Sequence, residues 1–228
     1  MLLNGITIQG SYHDKNQDSF KCEKINNIYV LAVSDGLGSK KTSELGSRVL
    51  CESACDVVAE NMDYIENIAA IDIARMVHKK WLINMSRYQV SDSYATMLLL
   101  LVMPKKIVAV RLGDGFISFW IDDQIRVLFD RKEDYFANET DCLTEIFDET
   151  KIEAVDVTYE TFHGGVLCSD GVGIGNMTQN EIKSFTKDFI EEYCHYQESK
   201  IIQEIEIWLK DWTGSDDKTL AFILSEEV

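Results

Sequence analysis

The sequence predicts a layered α+β sandwich of mostly antiparallel strands. Two observations lead there. Strand-like segments, pairs of helix-like segments and further strands alternate in blocks, and successive strand segments are joined by short polar turns that suit antiparallel pairing. A chain of 228 residues with 46% hydrophobic residues can also bury a substantial core. It contains one proline and no Gly/Ser/Pro-rich stretch, so a single domain over residues 1–228 is expected.

The elements follow in order. The alternation of GITIQG, residues 5–10, predicts a first strand. SFKCEKI and IYVLAVSDG predict the next two, with Asn26-Asn27 as a hairpin turn between them. Tyr29 to Val33 is almost continuously apolar, as in a strand buried on both faces. From Ser43 the period lengthens. Leu45, Val49, Ser53 and Val57 form one stripe beside Leu50, Ala54 and Val58, with Ser43 as the expected N-cap. A second helix is expected over about 66–87, on a stripe of Ile71, Ala74, His78, Trp81, Leu82 and Met85. ATMLLLLVM, KIVAVRLGD, GFISFWID and QIRVLFD then predict a four-strand meander. Residues 131–155 read as polar and irregular, and TFHGGVLCSDGV as another strand. Helices over about 178–194 and 199–212 follow, the second with an apolar face of Ile201, Ile205, Trp208, Leu209 and Trp212. DDKTLAFIL closes the chain as a strand. No internal repeat is visible.

Composition narrows the function. A formal charge of −17 repels nucleic acid and anionic membranes, so neither is an expected partner. The same charge suits cation binding or simple solubility, and by itself does not choose between them. The six cysteines, at 22, 51, 55, 142, 168 and 194, form no CxxC, so no structural zinc site is expected. The opening MLLNGITIQG lacks a basic start and a long apolar run, which argues against a signal peptide. The longest apolar run, Met97 to Pro104, is far short of the roughly 20 residues that span a bilayer. The expected location is cytoplasmic, with reduced thiols.

The informative feature is a set of aspartates at strand ends. Asp35 follows the buried strand, Asp114 follows IVAVRLG, and Asp170 follows VLCS. Asp216 and Asp217 precede the last strand, and Asp18 precedes the second. Several adjoin glycine, which lets backbone approach a ligand closely. Each pair alone is also an ordinary Asp-Gly turn. If the carboxylates meet, however, they need neutralising: two unit charges about 4 Å apart repel by roughly 4 kcal/mol at an effective dielectric of 20. An oxygen-only donor set fits a hard divalent ion, Mg²⁺ or Mn²⁺.

NQDS, VSDGLGS with ELGSRV, YATMLLLL, RLGDG, LCSDGV and DDKTL stand in the order and approximate spacing of the metal-dependent PP2C (PPM) protein phosphatases. The chain resembles the compact bacterial branch, in which Gln replaces the Glu of the first motif, over about residues 5–225; FANETDCLT also resembles a segment of that branch. The resemblance implies a four-layer α-β-β-α sandwich, two mainly antiparallel sheets flanked by helix pairs. It also implies hydrolysis of phosphoserine and phosphothreonine in proteins by a metal-activated water, so the implied partner is a phosphorylated protein. In that pattern two Mg²⁺ or Mn²⁺ ions are held near one end of the sandwich. Asp35 bridges them, Gly36 offers its carbonyl oxygen to one, and Asp170 and Asp216 bind the other. Asp18 holds bound water, and Asp114 with Asp170 can hold a third ion. Asp217 falls where the family often has Asn.

Some positions depart from the pattern. His13 stands where the family usually has a phosphate-gripping Arg, and offers fewer donors and a charge that titrates. It is the expected contact to substrate phosphate, or else a loop residue with no task. Leu37 stands where a family His helps protonate the leaving group. These departures keep a second reading open, a phosphatase-like binding module with little turnover. His78, with its helical spacing, is expected to be a core or boundary residue, and residues 131–155 to shape substrate choice.

Overall fold

A computed structural model describes residues 1–129, 140–172 and 177–225. Ten strands and four α-helices are present among them. The strands are β1 (Leu2–Ile8), β2 (Asp18–Ile25), β3 (Ile28–Asp35), β4 (Met97–Met103), β5 (Lys106–Leu112), β6 (Phe116–Ile121), β7 (Gln124–Leu128), β8 (Glu153–Thr158), β9 (Phe162–Cys168) and β10 (Lys218–Leu224). The helices are α1 (Ser43–Asn61), α2 (Ala70–Asn84), α3 (Gln179–Tyr193) and α4 (Glu198–Asp211). The strands form two antiparallel five-stranded sheets, ordered β1-β10-β9-β6-β7 and β2-β3-β4-β5-β8.

Strand periodicity explains the four layers. All seven residues of β4 are buried, but their side chains part by alternation. Met97, Leu99, Leu101 and Met103 join α1 and α2 in one apolar cluster. Leu98, Leu100 and Val102 join Leu31, Phe119, Leu167 and Ile223 between the sheets. The second sheet divides likewise, Leu220, Phe222 and Leu224 packing against α3 and α4. Each such side chain contributes about 1.5–3 kcal/mol on burial, and the layered core arises from these two-faced strands. Cys51, Cys55 and Cys168 are buried in it as free thiols.

Several expectations need adjusting. The meander is interrupted: β4 pairs with β5 and β6 with β7, but β5 and β6 lie in different sheets. The three residues Gly113–Gly115 carry the chain across, which leaves Asp114 at the junction of the sheets. β8 lies at the end of the stretch read as irregular. It is a short edge strand of half-exposed alternating residues, EAVDVT, which gives a weak apolar signal. Residues 131–139 of that stretch lie outside the described residues. The N-cap position of α1 belongs to Thr42, and Ser43 is already helical, with no capping hydrogen bond from a side chain. The buried stripe of α2 runs through Ile73 and Val77, not Ile71, and the helix begins at Ala70 after a separate turn at Ile65–Asn67. The Asn26-Asn27 hairpin is present, with Asn26 at φ 53°, the left-handed conformation such turns use. No helix among the described residues is long and apolar enough to cross a membrane.

Candidate metal centre

Antiparallel pairing gathers the aspartates. The start of β2 and the end of β3 are hydrogen-bonded neighbours, so Asp18 lies directly opposite Asp35. In the other sheet β9 sits between β10 and β6, and Cys168 pairs with both Leu220 and Phe116. Asp170 just past β9, Asp216 just before β10 and Asp114 just before β6 therefore emerge at one end. The short β5–β6 crossing brings the two sheets' ends together there.

Carboxylate oxygens of Asp35, Asp114 and Asp170 all lie within 4.8 Å of one another. Asp35 is held at the edge of its strand by Thr96. Its N–H donates to Thr96 Oγ1 at 2.9 Å, and its carbonyl accepts from Thr96 N at 2.8 Å. The adjoining Gly36 N–H donates to the Gln17 carbonyl at 3.1 Å. A Cβ on Gly36 would come within 2.6 Å of the Ser43 main chain, so the start of α1 can approach only a glycine. Asp114 accepts from Thr140 Oγ1 at 2.8 Å, so the middle of the FANETDCLT segment touches the cluster; Phe136 to Glu139 of it lie outside the described residues.

Asp18 is 6% exposed and accepts from Ser169 Oγ at 2.7 Å. Its Oδ1 and the Oδ1 of Asp170 are buried with no hydrogen-bond partner. Buried polar atoms are normally paired, so these two orphan acceptors point to something that donates or coordinates.

The electrostatics agree. Burial pushes the Asp18 carboxyl up to about 6, with the Asp217 charge adding to the rise. Asp170 is pushed up to about 7, by burial first and then by the charges of Asp114, Asp216 and Asp18. Asp35 lies well above the usual carboxylate range, again from burial, then from Asp18, Asp170 and Asp114. Ionising these groups together sets like charges against one another, and bound positive charge relieves that repulsion. The donor set is all oxygen, with unsatisfied lone pairs on Asp18 and Asp170. It fits divalent cations of the hard class.

Asp216 and Asp217 separate in role. Asp217 is 2% exposed, and its two oxygens accept backbone N–H groups of Gly10 at 2.8 Å and Gln17 at 2.7 Å. It ties the polar loop at 10–17 to the start of β10, helped by Tyr12 N–H donating to the Ser215 carbonyl. Asp216 is more exposed and groups with His13 and Asp217, while its charge reaches Asp170. Sequence reasoning overlooked the tethers Ser169, Thr96 and Asp217. Ser169 and Thr96 adjoin motif residues, but a hydroxyl's partner is decided by the fold. His78 is buried in α2, with Nε2 2.8 Å from the Thr144 carbonyl oxygen, away from the cluster.

A family model described as Protein phosphatase 2C matches residues 11–212. The chain belongs to the protein phosphatase 2C family. The match takes in Asp18, Asp35, Asp114 and Asp170 and stops short of Asp216. No curated protein matches the chain. Solved structures do. Serine/threonine phosphatase Stp1 from Staphylococcus aureus is 16% identical, with 98% of this chain and 94% of that one covered and a TM-score of 0.67. PppA, a key regulatory component of T6SS in Pseudomonas aeruginosa, is 13% identical over 97% and 96%, with a TM-score of 0.68. RsbX in complex with magnesium is 16% identical over 96% and 92%, with a TM-score of 0.54. At such identities the likeness is one of fold, and the protein phosphatase 2C chain described here shares its two-sheet, four-helix architecture with them.

Proposed function

We propose that this protein phosphatase 2C chain hydrolyses phosphoserine and phosphothreonine in other proteins, and that the reaction depends on two divalent cations, Mg²⁺ or Mn²⁺. The observation that carries this reading is the convergence of Asp35, Asp114 and Asp170 beside Asp18, with two orphan carboxylate oxygens among them. The family match and the likeness of fold to a solved serine/threonine phosphatase support it.

Asp35, between the two sheets' contributions, would serve both ions, with the Gly36 carbonyl completing one side and Asp170 with Asp216 the other. Asp114 with Asp170 has the oxygens for a third. Bound cations supply Lewis acidity, which acidifies a coordinated water at neutral pH and offsets charge on the phosphoryl oxygens. Asp18 accepts from Ser169 through one oxygen, which leaves its buried, unpartnered Oδ1 to orient a water and accept its proton. Thr96 and Gln17 fix the Asp35-Gly36 step, and Thr140 fixes Asp114, so the carboxylates are preorganised rather than recruited. No side chain acts as a nucleophile in this scheme. The buried Cys51 and Cys168 thiols are held far above the ordinary thiol range by desolvation, which makes them poor nucleophiles.

With His13 at the position of the family's Arg and Leu37 at that of its His, the loop gives substrate phosphate less fixed charge. A high KM is expected. The same two substitutions favour the second reading, a phosphopeptide-binding module with little turnover. Phosphate release from a phosphothreonine peptide in Mn²⁺, compared with the same reaction in chelator, tests the proposal. Chelator-sensitive turnover is expected. Tight binding of an uncleaved phosphopeptide in Mn²⁺ would favour the binding module.

A further inference from the structure

His13 departs most from the family pattern, and its surroundings are those of a cation ligand. Its Nδ1 lies 3.8 Å from Asp216 Oδ1 and 3.9 Å from Asp217 Oδ2. These distances are beyond hydrogen-bond reach, yet shorter than the span of two ligand bonds of about 2.1 Å each. Nδ1 is buried and has no hydrogen-bond partner. The ring is held in place: a Cβ on Gly38 would lie 2.8 Å from Nε2, so that edge abuts main chain, and Tyr12 packs edge-on with ring centroids 4.7 Å apart. The His13 carbonyl accepts from Gln9 Nε2 at 3.0 Å, which anchors the loop beneath it. Asp217 has both oxygens engaged by backbone N–H groups, whereas Asp216 accepts one such group, the Asp217 N–H on Oδ1 at 2.9 Å, and so keeps lone pairs to share an ion with the imidazole. An unpartnered nitrogen lone pair between two carboxylates is better placed to meet a cation than a phosphate.

We infer that His13 Nδ1 is a nitrogen ligand to a divalent ion shared with Asp216, and that this mixed donor set tunes the centre toward a transition ion such as Mn²⁺ over Mg²⁺. Imidazole favours transition ions, whereas Mg²⁺ takes oxygen donors almost exclusively. The inference rests on the cation-dependent reading of the site and adds a ligand to it.

Pulsed EPR of the Mn²⁺-loaded protein reads the ligand directly, because a coordinated nitrogen modulates the electron spin echo. The expected result is ¹⁴N modulation in the native protein that disappears in His13→Gln. Calorimetry should show the Mn²⁺-over-Mg²⁺ affinity ratio falling in that variant by roughly tenfold or more, the scale on which losing even a supporting partner of a metal ligand is felt. Mn²⁺ binding without nitrogen modulation would overturn the inference and leave the phosphatase reading standing. So would modulation that persists in His13→Gln, which would place the nitrogen on another histidine. Failure of the native protein to bind any divalent ion would overturn both. The spectrum of the native protein needs no variant, so a folding defect in His13→Gln leaves the test intact.

Discussion

At the scale of single residues, neighbouring carboxylates are held for opposite reasons. Asp170 is surrounded by like charge and has an unpaired oxygen, whereas Asp217 is surrounded by N–H donors. Substitution by Asn should therefore act in opposite directions on the metal-free protein. Asp170→Asn relieves repulsion, and its Tm at pH 7.5 is expected to hold or to rise by a few degrees. Phosphatase turnover should fall at least about a hundredfold in the same variant, since a cation ligand is lost. Asp217→Asn turns an amide NH₂ toward a backbone donor and should cost about 1–3 kcal/mol by urea unfolding. A destabilised Asp170→Asn would mean that Asp170 serves the fold instead. The sequence shows both aspartates but not this difference, because the donors to Asp217 come from Gly10 and Gln17, some two hundred positions away.

At the scale of elements, the site depends on close approaches at strand ends. Gly171 follows Asp170, and a Cβ there would lie 1.8 Å from the Asp217 carbonyl oxygen. Gly171→Ala must push the end of β9 away from the start of β10. It is expected to cost about 3 kcal/mol in chemical unfolding and to weaken Mn²⁺ binding as well, since Asp170 and Asp216 lie on the two separated segments. A substitution with no effect on either would show that the two strand ends give way freely. The elements themselves were legible in the sequence where burial was two-sided: β3, β4 and β10 stand out as apolar runs. β8 was not legible, because an edge strand that alternates with solvent looks like a loop. Nor was the sheet exchange at Gly113–Gly115, since short turns serve hairpins and crossings alike and only the pairing partners distinguish them.

For the whole molecule, the order of strands places one acidic end on a sandwich that is otherwise stabilised by its apolar layers. That end makes stability pH-dependent. Asp18 and Asp170 have folded-state values of about 6 and about 7, above the ordinary 3.8. The folded state thus binds more protons than the unfolded chain between about pH 4 and 7, and stability falls as pH rises through that window. A loss of a few kcal/mol is expected for the metal-free protein, read as a Tm drop of roughly 5–10 °C from pH 4.5 to 7.5. Saturating Mn²⁺ should remove most of that drop at pH 7.5, because the ion replaces the protons and binds only the folded chain. The acidic end was legible as a set of Asp-Gly junctions in family order. The part played by His13 was not, because its neighbour Asp216 arrives from the far end of the chain. The most direct measurement is calorimetric titration of Mn²⁺ into the metal-free protein and into the Asp35→Asn variant. Binding to the native chain that is lost or weakened at least about tenfold in the variant is the predicted result. Equal binding by both, or none by the native protein, would contradict the account.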